Sequence, residues 1–144
     1  MGLVSDILET KGHDVLDIEG SATVLDAITK MVDGNVGSLL VTDSGRLAGI
    51  VTERDYLRRV TLEGRDERTT PVREIMSTPI VYTTPESSID ECMAVMTERR
   101  IRHLPVLDEG QNVVGVVSIG DVVKFQSKEQ TAHIKLLTDY ISSG

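Results

Sequence analysis

The chain has no tryptophan, one phenylalanine and three tyrosines in 144 residues, so aromatics make up 3% of it. That scarcity excludes broad platforms on which nucleic-acid bases stack. It leaves an aliphatic core of Val, Ile, Leu and Met. The single cysteine, Cys92, excludes an internal disulfide and fits a reducing compartment. No apolar run approaches the ~20 residues of a membrane span, and no window resembles a signal peptide. A soluble, cytoplasmic protein is expected. Basic residues are outnumbered, 15 against 23 acidic, for a formal charge of −8. Such a field repels nucleic acid and anionic membranes, yet leaves room for a local basic pocket around one small anion. His13, His103 and His133 share no i, i+3 or i+4 spacing, so no metal site is expected. No nucleophile elbow of the type G-x-S-x-G is present.

What is present is ordinary globular composition, 40% hydrophobic and 26% charged. A chain of this length buries roughly 70% of its unfolded surface. The informative feature is repetition. "GIVTERD" (Gly49 to Asp55) returns as "GVVSIGD" (Gly115 to Asp121). Ser38 to Val60 aligns with His103 to Gln126, with one extra residue in the turn between Gly110 and Gly115. Ala22 to Gly37 aligns with Ser87 to Arg102, and "VSDIL" at Val4 with "VREIM" at Val72. The boundaries read 1–62 for the first copy, 63–71 for a polar linker, 72–126 for the second copy and 127–144 for a C-terminal helix.

Each copy predicts β-α-β-β-α. A short strand ("VLDI" or "IVYT") precedes an amphipathic helix. In the first copy Val24, Leu25, Ile28, Met31 and Val32 form the apolar face. Thr23 with Asp26, and Ser87 with Asp90, are the expected helix caps. A hairpin with its turn at "DSG" or "DEGQN" follows. The run Cys92 to Met96 predicts a helix buried on several sides, with Cys92, Met93 and Met96 as core. The last helix, roughly Glu129 to Ile141, is expected to pack as a brace through Ile134, Leu137 and Ile141. One copy of ~60 residues is marginal alone, so a pseudo-twofold pair is the physical expectation.

The heptad has two readings. In one, Thr52 and Ser118 are N-caps, and Asp55 and Asp121 complete the capping box at the positive helix end. In the other, the corner also binds a ligand: free N–H groups suit an anion, and a carboxylate accepts two hydrogen bonds from a ribose diol.

The duplicated heptad, the "RHLPVLD" strand and the element order together resemble the CBS domain, named after cystathionine β-synthase, in its tandem form, the Bateman module. The resemblance covers about nine-tenths of the chain. It implies an α/β (α+β) fold of two pseudo-twofold-related repeats with adenosine ligands (AMP, ADP, ATP, NAD, less readily S-adenosylmethionine) between them. By position, Asp55 and Asp121 would hold ribose, and Thr52 and Ser118 would contact ribose or phosphate. Arg54 and Ile119 lie within the same heptads. Lys11, Gly12 and Val15 in one copy, and Thr78, Pro79, Ile80 and Val81 in the other, would grip adenine through backbone groups. Arg102 and His103, in the strand that also holds Pro105, would meet phosphate. Their counterparts Gly37 and Ser38 are uncharged and Arg54 stands opposite Gly120, so the two sites are expected to differ in phosphate preference. Arg99 and Arg100 read equally well as a solvated helix end.

The resemblance further implies a non-enzymatic sensor of energy charge that signals to an unknown protein target and forms a homodimer through its repeat helices. Two other readings stay open: an enzyme acting on a bound nucleotide with His103 as base, and a structural interaction protein with vestigial pockets.

Overall fold

Each repeat is built on one β-hairpin, because in both a turn tolerant of positive φ separates two runs of β-branched residues. The computed structural model describes residues 2–143, and side chains at all of these except 133 and 139–143. In chain order the elements are helix α1 (Val4–Lys11), strand β1 (Asp17–Glu19), helix α2 (Val24–Gly34), strands β2 (Ser38–Asp43) and β3 (Arg46–Thr52), and helix α3 (Glu53–Tyr56). A wider π-type turn, Leu57–Thr61, extends α3, and a 3₁₀ turn occupies Val72–Glu74. Then come helix α4 (Ile89–Arg99), strands β4 (His103–Leu107) and β5 (Val113–Ser118), and helix α5 (Ile119–Ser143). The chain divides into two compact units, Asp14–Val81 and Met1–His13 with Tyr82–Gly144.

In the unit Asp14–Val81 the sheet order is β1-β2-β3, with β1 parallel to β2 and β2 antiparallel to β3. Ser44 and Gly45, both at positive φ (53° and 80°), make the tight turn. α2 starts at the expected capping box: the Asp26 N–H donates to the Thr23 hydroxyl (3.1 Å), and the Thr23 N–H donates to the Asp26 carboxylate (3.2 Å). Asn35, in the left-handed region, ends the helix. α2 buries Val24, Ala27 and Met31 against Leu39, Val41 and Val51. Each such aliphatic burial stabilises by about 1.5–3 kcal/mol. Val72 and Ile75, fully buried, close this core. Ser77 then pairs with Ile50 of β3 through both backbone hydrogen bonds (3.2 and 2.8 Å).

The other unit holds the β4–β5 hairpin, α4, α5 and α1. α1 buries Val4, Ile7 and Leu8. The Leu8 side chain lies over Gly115 so closely that a Cβ there would sit 2.6 Å from it. Met76 does the same over Gly49, at 2.6 Å. The segments matched by sequence as "VSDIL" and "VREIM" therefore do the same job, but each serves the hairpin of the other repeat.

Several expectations need correction. Val15–Ile18 is not the first strand as a block; β1 is Asp17–Glu19. Ile80–Thr83 forms no strand, only a bridge from Thr83 to Val106. Pro79 and Pro85 bracket that stretch and lack the N–H a ladder needs. The α4 cap is Ser88, not Ser87: the Glu91 N–H donates to the Ser88 hydroxyl (3.0 Å), while the Ser87 hydroxyl bonds Thr84 (2.9 Å). On α2, Leu25 and Val32 are exposed, because that helix has a second apolar face that no part of its own unit covers. On α4, Cys92 and Met96 are core, Met93 is half-buried and Ala94 is exposed. The C-terminal helix is not separate. No glycine or proline interrupts residues 121–143, so α5 runs unbroken to Ser143. Nor does it brace the molecule through Ile134 and Leu137, which are exposed; Ile141 lies outside the described side chains.

Candidate functional site

Both heptads form the same corner. A buried strand ends, its last residue caps a helix, and a carboxylate three positions on folds back to the cap. At Thr52 the hydroxyl accepts from the Asp55 N–H (3.2 Å), and Asp55 Oδ2 accepts from the Thr52 N–H (2.9 Å) and hydroxyl (3.2 Å). At Ser118 the hydroxyl accepts from the Asp121 N–H (3.1 Å), and Asp121 Oδ2 accepts from the Ser118 N–H (2.9 Å). The capping reading of the heptad therefore holds at both corners. Strand entry is matched as well: the Glu53 N–H donates to the Gly37 carbonyl (3.2 Å) and the Ile119 N–H to the Arg102 carbonyl (2.9 Å).

The corners differ in what else touches the carboxylate. Asp55 is 8% exposed, and its Oδ1 accepts from the Ser77 hydroxyl (2.9 Å). Asp121 is half-buried, and its Oδ2 also accepts from the Lys11 ammonium (2.6 Å), whose second bond goes to the Val116 carbonyl (2.7 Å). Burial alone would raise the Asp121 pKa. The Lys11 ammonium and the Ser118 donors outweigh it and hold the carboxyl below its ordinary 3.8. Asp121 Oδ1 has no hydrogen bond among the described residues.

Around the Asp121 corner, the structure gathers much of what the sequence singled out. His103 is the ladder partner of Ser118 and Pro105 the partner of Val116, while Ile119 opens α5. Arg102 is exposed one residue before His103. Gly12, at φ 99°, turns the chain out of α1 just after Lys11. The other corner's unit holds Val15, Arg54, Thr78, Pro79, Ile80 and Val81. Arg54 is exposed on α3, and Thr78 and Pro79 are exposed just beyond Ser77. Sequence reading missed Ser77 and the side-chain role of Lys11. A hydroxyl immediately before the named Thr78–Val81 stretch was the available signal. His13, for which no metal role is expected, places its Nδ1 2.8 Å from the Val114 carbonyl on the β5 edge.

Among the described residues, no three His, Cys, Asp or Glu side chains converge on a possible metal; His133 lies outside the described side chains. Burial pushes the Cys92 thiol up to about 11, which suits a core residue and not a nucleophile. No helix among the described residues is long and apolar enough to cross a membrane.

A family model, the CBS domain, matches residues 4–61 and 72–128. A CBS-domain protein of the signal-transduction type from Burkholderia ambifaria MC40-6 is similar in structure, with a TM-score of 0.85 and 46% identity over 89% of this chain and 96% of that one. CBS domain-containing protein CBSX3, mitochondrial, of Arabidopsis thaliana is 39% identical over 98% of this chain and 72% of its own length. A hexameric CBS-CP12 protein from bloom-forming cyanobacteria has a TM-score of 0.76 and 32% identity over 85% of this chain and 70% of its own.

Proposed function

The chain belongs to the CBS-domain family of regulatory, signal-transduction type, and on that premise we propose that it is a non-enzymatic sensor that binds adenosine nucleotides at its Asp121 strand-helix corner and passes the signal to a protein target. The observation that supports this most is the Asp121 carboxylate. Its Oδ2 is fixed by the cap and by Lys11, and its Oδ1 still has acceptor capacity on a side chain that is 23% exposed. A held carboxylate with an open oxygen suits a ribose hydroxyl, and the backbone brings to the same corner three residues that would meet phosphate: Ser118, its ladder partner His103, and Arg102, whose carbonyl accepts from the Ile119 N–H. Binding would signal by preferring one arrangement of the protein over another. Thermal melting with millimolar AMP, ADP, ATP, NAD and S-adenosylmethionine tests this. At least one nucleotide should raise Tm by several degrees in the wild type and not in Asp121→Asn. No shift with any of the five would sink the reading.

The same proposal includes self-association through the repeat helices. Between α2 and α3 lies an open groove of about 540 Å³, lined by Ile28, Val32, Val36, Tyr56 and Leu57 among others. Val32 and Leu57 are 72% and 59% exposed. Contiguous apolar side chains of this kind mark an interface, and a second copy is the occupant we favour, since a hexameric relative shares the fold. Sedimentation velocity should show an oligomer that Val32→Lys dissociates. A wild type that sediments as a monomer at every concentration would rule this out.

A further inference from the structure

We propose that Lys11 determines ligand class at the Asp121 corner, making it a site for phosphorylated nucleosides in preference to neutral ones. A carboxylate that bonds ribose also faces the phosphates of the same ligand, and like charges repel. At Asp121 that charge is met by an ammonium 2.6 Å away. Lys11 has three N–H donors. Asp121 Oδ2 takes one and the Val116 carbonyl another. The third is left at a side chain 37% exposed, beside the open Oδ1. The corner therefore presents an acceptor and a cationic donor side by side, which fits a sugar bearing an anionic group.

The position of Lys11 is built in, because α1 is locked down independently of the ion pair. Val4, Ile7 and Leu8 are at most 3% exposed, and the Val4 N–H donates to the Ser87 carbonyl (2.9 Å). At Asp55 the corresponding contacts come from the Ser77 and Thr52 hydroxyls and the Thr52 N–H, all neutral.

This assignment rests on the nucleotide-binding reading, and one titration series separates the two. Adenosine and AMP are titrated into the full chain by calorimetry, and the ratio of their dissociation constants is compared across variants. Wild type should prefer AMP. Lys11→Met should cut that preference roughly tenfold, because AMP loses more affinity than adenosine does, and Lys11→Arg should restore it. Leu8→Ala loosens α1 without altering charge, so it should weaken both ligands alike. An unchanged ratio in Lys11→Met, or an equal loss of preference in Leu8→Ala, overturns the role of Lys11 and leaves nucleotide binding standing. Failure of the wild type to bind either compound overturns both.

Discussion

The Asp55 and Asp121 corners share a sequence and a backbone geometry, yet one is sealed and the other is held half-open. Asp55 has partners on both oxygens and is 8% exposed; Asp121 has partners on one and meets a cation. The difference comes from the segment that leans on each hairpin, bringing a short hydroxyl in one case and a long ammonium in the other. A duplicated motif can thus keep its local cap in both copies while the surroundings make one copy a structural clasp and the other a surface with spare hydrogen-bonding capacity.

Replacing the carboxylates should expose that contrast most strongly. Asp55→Ala removes the buried carboxylate half of the capping box and leaves the half-buried Ser77 hydroxyl without its partner, so it should cost about 3 kcal/mol in urea-induced unfolding. Asp121→Ala should cost only about 1 kcal/mol, because its ion pair is partly screened by water. Equal losses would mean that the corners are energetically alike. Next in size is the glycine pair beneath the leaning segments. A Cβ at Gly49 would meet Met76 Sδ at 2.6 Å and the Ser77 backbone carbonyl at 2.9 Å, whereas the three atoms nearest one at Gly115 all belong to the Leu8 side chain. Since a side chain yields more easily than backbone, Gly49→Ala should cost about 2 kcal/mol and Gly115→Ala about 1, measured as Tm.

The smallest effect is in pH dependence. The Asp121 carboxyl is held below 3.8, so its contribution to stability is complete above that value and disappears as pH falls through the lower folded-state pKa. The wild type should lose stability below about pH 4 more steeply than Asp121→Asn, with the curves parallel above pH 5. Identical acid limbs would show that the Lys11 pair does not stabilise the fold.

Much of this was legible in the residues themselves. The Thr23–Asp26, Thr52–Asp55 and Ser118–Asp121 boxes are contacts between residues three apart. The hairpins follow from turn residues between β-branched runs. Where sequence reading failed, a longer-range contact had decided. Ser87 looks as good a cap as Ser88, and only the bond to Thr84 removes it. Leu25 and Val32 belong to an apolar face by periodicity, but the sheet has room for one face of α2 and chose the one bearing Ala27. Ile134 and Leu137 keep helical spacing although nothing in their own unit covers them.

The chain's order of residues settled the doubling, the hairpins and the reciprocal caps at both corners, because each is made by neighbours within a few positions and costs little chain entropy to form. Only folding in three dimensions decided that the N-terminal helix would serve the second hairpin and the middle segment the first, and hence which side chain meets each carboxylate. Lys11 is 110 residues from Asp121 and Ser77 is 22 from Asp55. Contacts over such separations are fixed by the packing of Leu8 on Gly115 and Met76 on Gly49, which no local pattern encodes.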